Sequence, residues 1–234
     1  MIGKAKAPLT RRSRGMKTPK FVMVSFDVDK TLFRQPALTQ AARGLGIGKK
    51  WDAIDAMYHR QRITLRQGLL QQFQLLAGMK LVDVLAEVAK VPMMRNIREA
   101  VDKLLGLGLS VILCTDNPDF LCQYLVEQFG FRGFVSSKVA AKNGVITDDI
   151  EPLPDKRLGI RKYCAWMSIP ISKTVHVGDG LNDVPIFRVV GYSIALNSSL
   201  EKVKKAASHQ METDDLLDVY KHIQSEMSSS KSVD

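Results

Sequence analysis

Apolar positions along the chain change period three times. Residues 20–26 hold a continuous apolar stretch, Phe21-Val22-Met23-Val24-Ser25-Phe26, of strand length and partly β-branched. From Pro36 to about Val91 the apolar residues recur in steps of three and four: Ala41 and Leu45, then Trp51, Ile54, Met57 and Tyr58, then Leu65, Leu69, Leu70, Phe73 and Leu76. That spacing predicts amphipathic helices. Gly44, Gly46 and Gly48 separate the first from the second, Thr64 is placed to cap the third, and Gly78 followed by Lys80 marks its end. A further helix over 81–90 stops before Pro92. Residues 36–91 thus read as three or four helices inserted after the first strand.

Beyond Pro92 helices and strands alternate. Helices are expected over 96–107, 117–129, 155–167, 183–190 and 199–207, and a last one over 214–225 capped by Thr213. Strands are expected over 109–114, 134–137, 174–177 and 193–196. The run Leu109-Ser110-Val111-Ile112-Leu113-Cys114 is apolar enough to be buried on both faces. Asn143-Gly144 supplies the two left-handed positions of a tight turn, which predicts a hairpin over 139–146. This alternation predicts an α/β fold: a parallel sheet with helices on both faces. The expected organisation is an α/β core from 20–35 and 92–226, a helical cap from 36–91, and tails at 1–19 and 227–234.

Composition leaves this picture in place and adds charge. The chain has 234 residues, 45% of them apolar, and a formal net charge of +10. The first twenty residues hold seven basic side chains and no acid. That run reads either as a solvated tail or as an arm for nucleic acid; its Arg-rich, acid-poor character also allows an organelle transit segment. No stretch is long and apolar enough to cross a membrane. No apolar signal-peptide core stands near the first residue. The three cysteines, Cys114, Cys122 and Cys164, lack the spacing of a zinc site or a disulfide framework and suit a reducing, cytoplasmic setting.

The chemistry gathers in four islands at the carboxyl ends of predicted strands, where ligands bind in open α/β sheets. The first is Asp27-Val28-Asp29-Lys30-Thr31. Two close carboxylates there ask for a cation, an acid/base pair, or both. The second is Thr115-Asp116-Asn117, the third Lys156, and the fourth Gly178-Asp179-Gly180-Leu181-Asn182-Asp183. Each has a plainer reading as well. Asp179 and Asp183 could be turn and helix-cap residues. Thr115 could cap a strand end, and Lys156 could be a surface lysine with Lys162 as its competitor. His176, in mid-strand, reads as core.

Taken together and in this order, the four islands resemble the motifs of the haloacid dehalogenase (HAD) superfamily over residues 21–190. Their spacing, with a helical insertion after the first motif, is similar to the phosphoserine-phosphatase-like branch. The resemblance implies a Rossmann-like core and a Mg²⁺-dependent phosphatase acting on a small phosphorylated metabolite. Asp27 would be the nucleophile that forms an aspartyl-phosphate, and Asp29 the general acid and base. Mg²⁺ would be held by Asp27, the backbone carbonyl of Asp29, and Asp179. Thr115 and Lys156 would bind the phosphoryl group. Gly180, Asn182 and Asp183 would support the metal, with Gly178 and Gly180 letting the backbone turn close to it. Asp29 distinguishes the chain from the superfamily's ion-pumping ATPases, and a dehalogenase has no need of that second aspartate.

The resemblance weakens around the substrate. Asp116 and Asn117 stand where phosphoserine phosphatases usually show a glycine pair. They either contact substrate or cap the next helix. The glutamate that would hold a substrate amine is replaced by Pro36, and the cap arginine that would hold a carboxylate aligns with Leu70. Both departures argue for a substrate other than phosphoserine. Tyr58, Leu65 and Leu69 then line a less polar pocket or pack the cap. His59, Arg60, Arg62 and Arg66 form a basic face over the site or a solvated one. Lys30, between acid and threonine, is expected to point outward. The alternative function is a nucleic-acid-associated or phosphate-binding protein on the same scaffold, working through its basic N-terminal tail.

Overall fold

A computed structural model describes residues 19–229 of the protein. Seven strands form one sheet: β1 (Met23–Phe26), β2 (Ser110–Pro118), β3 (Phe134–Lys142), β4 (Val145–Glu151), β5 (Thr174–Gly178), β6 (Tyr192–Leu196) and β7 (His209–Met211). Their order is β4-β3-β2-β1-β5-β6-β7. All neighbours run parallel except the β3–β4 hairpin. The central strands are buried on both faces, which is why they read as unbroken apolar runs.

Ten α-helices and one 3-10 turn, Ile171–Lys173, complete the fold among the described residues. α1 (Ala37–Gly44), α2 (Gly48–His59), α3 (Leu65–Gln74) and α4 (Leu81–Val88) form the helical insertion after β1, the expected cap. α5 (Ile97–Gly106), α6 (Asp119–Phe129) and α10 (Leu216–Ser229) pack together on one face of the sheet; α7 (Lys156–Trp166), α8 (Val184–Phe187) and α9 (Glu201–Ala206) pack together on the other. Strand alternation divides the core accordingly. Val24 and Phe26 join the larger cluster with α5, α6, α10 and the cap, whereas Met23 points towards Ile160, Tyr163 and Ile186 of α7 and α8.

Several boundaries move. β1 begins at Met23 rather than at 20. β3 runs unbroken through both the expected 134–137 strand and the first arm of the hairpin. Asn143 and Gly144 hold the expected turn, with φ of 52° and 76°. Gly48 opens α2 instead of breaking the chain. Thr64 caps α3 with Gln67 in a reciprocal capping box. Asn117 and Pro118 end β2, so α6 starts only at Asp119. β7 was not expected; its three residues are too short and too polar for a periodic signal. α10 continues to Ser229, so residues 227–229 are helical rather than tail. Apart from Pro19, the expected N-terminal tail lies outside the described residues, as do 230–234.

The cap is tied to the core at two places. Its two connections pair with each other, with Phe33 bridged to Met93 and the Arg34 amide donating to the Pro92 carbonyl. Farther out, the Gly78 and Leu81 amides donate to Ile146 and Gly144 of the hairpin, and Ile146 donates back to Met79. This short ladder covers part of the sheet's β4 edge.

Candidate functional site

The order of strands reverses at β1, which lies between β2 and β5. A crevice forms there at the carboxyl ends of the strands. Phe26 is in register with Leu113 on one side and Val177 on the other. Asp27 therefore leaves the sheet between Thr115 and Asp179, and three islands meet by register alone. The fourth arrives on α7. Asp155 caps that helix, accepting from the Arg157 and Leu158 amides, and so sets Lys156 at the first helical position, facing the sheet.

Lys156 is buried, and its Nζ lies 3.0 Å from Asp27 Oδ1 and 2.6 Å from Asp183 Oδ1. Its competitor Lys162 is exposed on the same helix. Burial alone would lower the lysine's pKa, but the two carboxylates raise it well above normal. One cation thus serves two acids, unequally. Asp183 also accepts from His176 Nε2 at 3.1 Å and from the Gly180 amide at 3.1 Å. These partners outweigh burial and hold its carboxyl below the usual range. Asp27 lacks such support, and burial drives its pKa well up despite Lys156.

Asp29 is held differently. Its Oδ1 accepts from the Ala37 amide, the first of α1, at 2.8 Å, and its Oδ2 from Asn117 Nδ2 at 3.0 Å. Burial raises its pKa and both hydrogen bonds oppose the rise. Asn117 also donates to Thr115 Oγ1 at 3.1 Å. The Asn117 side chain therefore does not cap α6; it ties β2 to Asp29. The Thr115 hydroxyl also accepts from the Asn117 amide, as a strand-end cap would. Asp116 turns the other way and accepts from Asn182 Nδ2 at 2.8 Å, linking the second and fourth islands. Lys30 is exposed, as expected, and takes a left-handed φ of 56°.

Asp27, Asp179 and Asp183 each place a carboxylate oxygen within 4.8 Å of the other two. The Asp183 side chain makes no cap bond to α8, so its plainer reading as a helix cap does not describe it. Burial, and then the charge of Asp183, push Asp179 up to about 7, against Lys30 and Lys156. Five carboxylates share this corner with one buried lysine. An all-oxygen acidic donor set of this kind fits a hard divalent cation such as Mg²⁺. Neither Gly178 nor Gly180 has a positive φ, so backbone freedom does not call for them; space does at 178, where the neighbour is a buried side chain, and less so at 180, where it is the tip of an exposed one. A Cβ on Gly178 would land on the Asp183 carboxylate, and one on Gly180 on Asn182 Oδ1.

Three polar residues had no site role in the sequence reading, which placed His176 and Ser25 in core strands and did not single out Ser198. His176 is buried, but it is more than packing: its Nδ1 lies 2.8 Å from Ser25 Oγ while its Nε2 faces Asp183. Burial lowers its pKa. In the neutral tautomer that satisfies both contacts, Ser25 donates to Nδ1 and Nε2–H donates to the carboxylate. The available signal was a polar residue in each of two adjacent apolar strands, at paired positions. Ser198, after β6, donates to the Asp179 carbonyl at 2.6 Å and had no signal.

The fold is an α/β sheet with a helical insertion after its first strand and an acidic crevice where the strand order reverses. The family model for haloacid dehalogenase-like hydrolases matches residues 24–188, and the chain belongs to that family. Among its relatives is a phosphoserine phosphatase of Methanocaldococcus jannaschii, 24% identical over 205 residues, covering 86% of this chain and 97% of the relative. Another, from Albidiferax ferrireducens, is 26% identical over 219 residues, covering 88% and 92%. A solved phosphoserine phosphatase, described as a phospho-aspartyl intermediate analogue, superposes with a TM-score of 0.72 at 23% identity, over 87% of this chain and 99% of its own. The enzyme class expected from the motifs, a phosphatase, is the class these relatives carry. No helix among the described residues is long and apolar enough to cross a membrane.

Proposed function

We propose that the protein is a Mg²⁺-dependent phosphomonoester phosphatase of the cytoplasm, with residues 36–91 as its cap over the α/β core. The observation that carries this reading is the buried triad of Asp27, Lys156 and Asp183 beside Asp29 and Asp179. Asp27 and Asp179, with the Asp29 carbonyl, would hold the Mg²⁺, and Asp183, Asn182 and Gly180 would support them. Bound there, the ion supplies charge neutralisation for the phosphoryl oxygens.

The chain's own residues account for the rest. Lys156 fixes Oδ1 of Asp27 and leaves Oδ2 to attack phosphorus. As the Asp27–phosphorus bond forms, the bond to the leaving oxygen breaks, and Asp29 gives that oxygen its proton. A water then attacks the aspartyl-phosphate and loses its proton to Asp29; the Asp27–phosphorus bond breaks and inorganic phosphate leaves. The raised proton affinity of Asp29 suits both roles. Thr115 and Lys156 donate to the phosphoryl oxygens.

The substrate we propose is a small phosphorylated metabolite other than phosphoserine. Pro36 and Leu70 supply neither the anion nor the cation that an amino-acid head group needs. The names of the relatives favour phosphoserine itself as the second reading. Phosphate release from p-nitrophenyl phosphate, phosphoserine and a panel of metabolite phosphates, with Mg²⁺ or EDTA, tests both. Mg²⁺-dependent turnover that disappears in Asp27→Asn is expected. Preference for phosphoserine overturns the substrate assignment, and undiminished turnover in Asp27→Asn overturns the mechanism.

A further inference from the structure

The two faces of the sheet carry opposite charge. α5, α6 and α10 hold six acidic and three basic residues. α7, α8 and α9 hold seven basic residues and one acid. Lys156 belongs to the crevice, Arg157 pairs with Asp155, and Lys204 lies 3.7 Å from both Glu201 and Glu212. Arg161, Lys162, Lys202 and Lys205, with Arg188 just past α8, are exposed and form no ion pair among the described residues. Five uncompensated cations on one rigid face exceed what solubility needs, because the net charge elsewhere already keeps the molecule from neutrality.

An exposed aromatic stands within this field. Trp166 ends α7 one turn beyond Lys162, is 52% exposed, and is braced edge-on by Tyr163. Where the described residues begin, Lys173 donates to the Pro19 carbonyl, and Lys20 pairs with Glu226 of α10 on the opposite face. Residues 1–18 carry six further basic side chains and no acid.

From this charge asymmetry and the braced tryptophan we infer that the α7–α8–α9 face is a docking surface for single-stranded nucleic acid. The cations meet phosphates, and Trp166 offers a stacking platform for a base. An anionic membrane fits less well. The other exposed large apolar residues on or beside these helices, Leu158, Leu181 and Leu200, are scattered over three separate segments; Leu158 lies eight residues from Trp166, about 12 Å along the helix. Membrane insertion needs contiguous apolar area. The surface is separate from the crevice and does not depend on the phosphatase reading.

The test is fluorescence anisotropy of a labelled 20-nucleotide single strand with the full chain between 50 and 200 mM salt. Five phosphate contacts predict that log K falls with log salt at a slope of about −3.5 from this face alone. The fourfold variant R161E/K162E/K202E/K205E should bind at least about tenfold more weakly and lose about 3 from that slope. Trp166→Ala should weaken binding several-fold with the slope unchanged, and circular dichroism checks that both variants fold. Three results would each overturn the inference: no binding by the full chain, full affinity in the fourfold variant with loss only on deleting residues 1–18, or binding confined to phosphatidylserine vesicles.

Discussion

Proton and metal compete for the same carboxylates, and the competition has a calculable size. Folding raises Asp179 from an ordinary aspartate pKa to about 7, and Asp27 moves in the same direction. A carboxyl whose pKa is higher when folded favours folding at low pH. That contribution is complete below about pH 4 and is lost as pH rises towards 7. At about 1.4 kcal/mol per unit, Asp179 alone costs the metal-free protein roughly 2–4 kcal/mol by pH 8. A cation in the crevice reverses the cost, but below pH 7 it must first displace a proton. Apparent Mg²⁺ affinity should therefore weaken by about tenfold per pH unit between 7 and 5. At saturating Mg²⁺ that is about 1.4 kcal/mol of stabilisation per unit, or about 3–6 °C in Tm for a domain of this size. Thermal melts with 10 mM MgCl₂ or EDTA at pH 5.5, 6.5 and 7.5 measure it. The Mg²⁺-induced rise in Tm should grow with pH, and Asp179→Asn should flatten the trend. An equal rise at all three pH values would refute the argument that Asp179 is a strained, cation-seeking carboxylate.

Three other substitutions probe the same corner. Lys156→Met leaves Asp27 and Asp183 buried without their cation. It should cost about 3–5 kcal/mol in urea unfolding of the metal-free protein and lower kcat at least about 100-fold; stability within 1 kcal/mol of wild type would contradict the buried pairing. Gly178→Ala sets a methyl group against the Asp183 carboxylate, so it should cost about 1–3 kcal/mol and weaken Mg²⁺ binding by calorimetry, whereas Gly46→Ala, in open space, should leave Mg²⁺ binding unchanged. His176→Leu strips a donor from Asp183 and removes the shorter of the Ser25 hydroxyl's two contacts, leaving it the Val175 carbonyl at 3.2 Å. A loss of about 1–3 kcal/mol is expected, with kcat falling more than KM changes, and His176→Gln should recover part of the rate; equal rates in wild type and His176→Leu would show that Asp183 needs no second support.

The α/β alternation, the helical insertion and the four polar islands were legible because each depends on local chemistry. Strands buried on both faces must be apolar throughout, so β2 and β5 declared themselves. The cap helices kept a period that no strand tolerates. Carboxylates and glycines at the ends of apolar runs mark loops that a sheet brings together whatever the rest of the chain does. The hairpin was visible because Asn143-Gly144 meets a backbone requirement that few dipeptides meet. What could not be read locally was missed or misplaced. β7 is three residues long and exists only because β6 offers it an edge.

Tertiary structure decided how the polar groups are shared. Sequence alone placed Lys156 near Asp27, but only packing shows that one ammonium is divided between Asp27 and Asp183, and that this division leaves Asp27 the poorer partner. Sequence counted His176 and Ser25 among the core. Strand pairing put them side by side beneath Asp183, where His176 holds the carboxylate and Ser25 holds the histidine ring. Asn117 could have capped a helix, yet β2 ends four residues later than expected, at Pro118, and carries the Asn117 side-chain amide to Asp29. The physical reason is common to all three. Which donors and acceptors a residue carries is fixed by its identity, but a buried group must find its partner within about 3 Å, and the fold alone sets which groups lie that close.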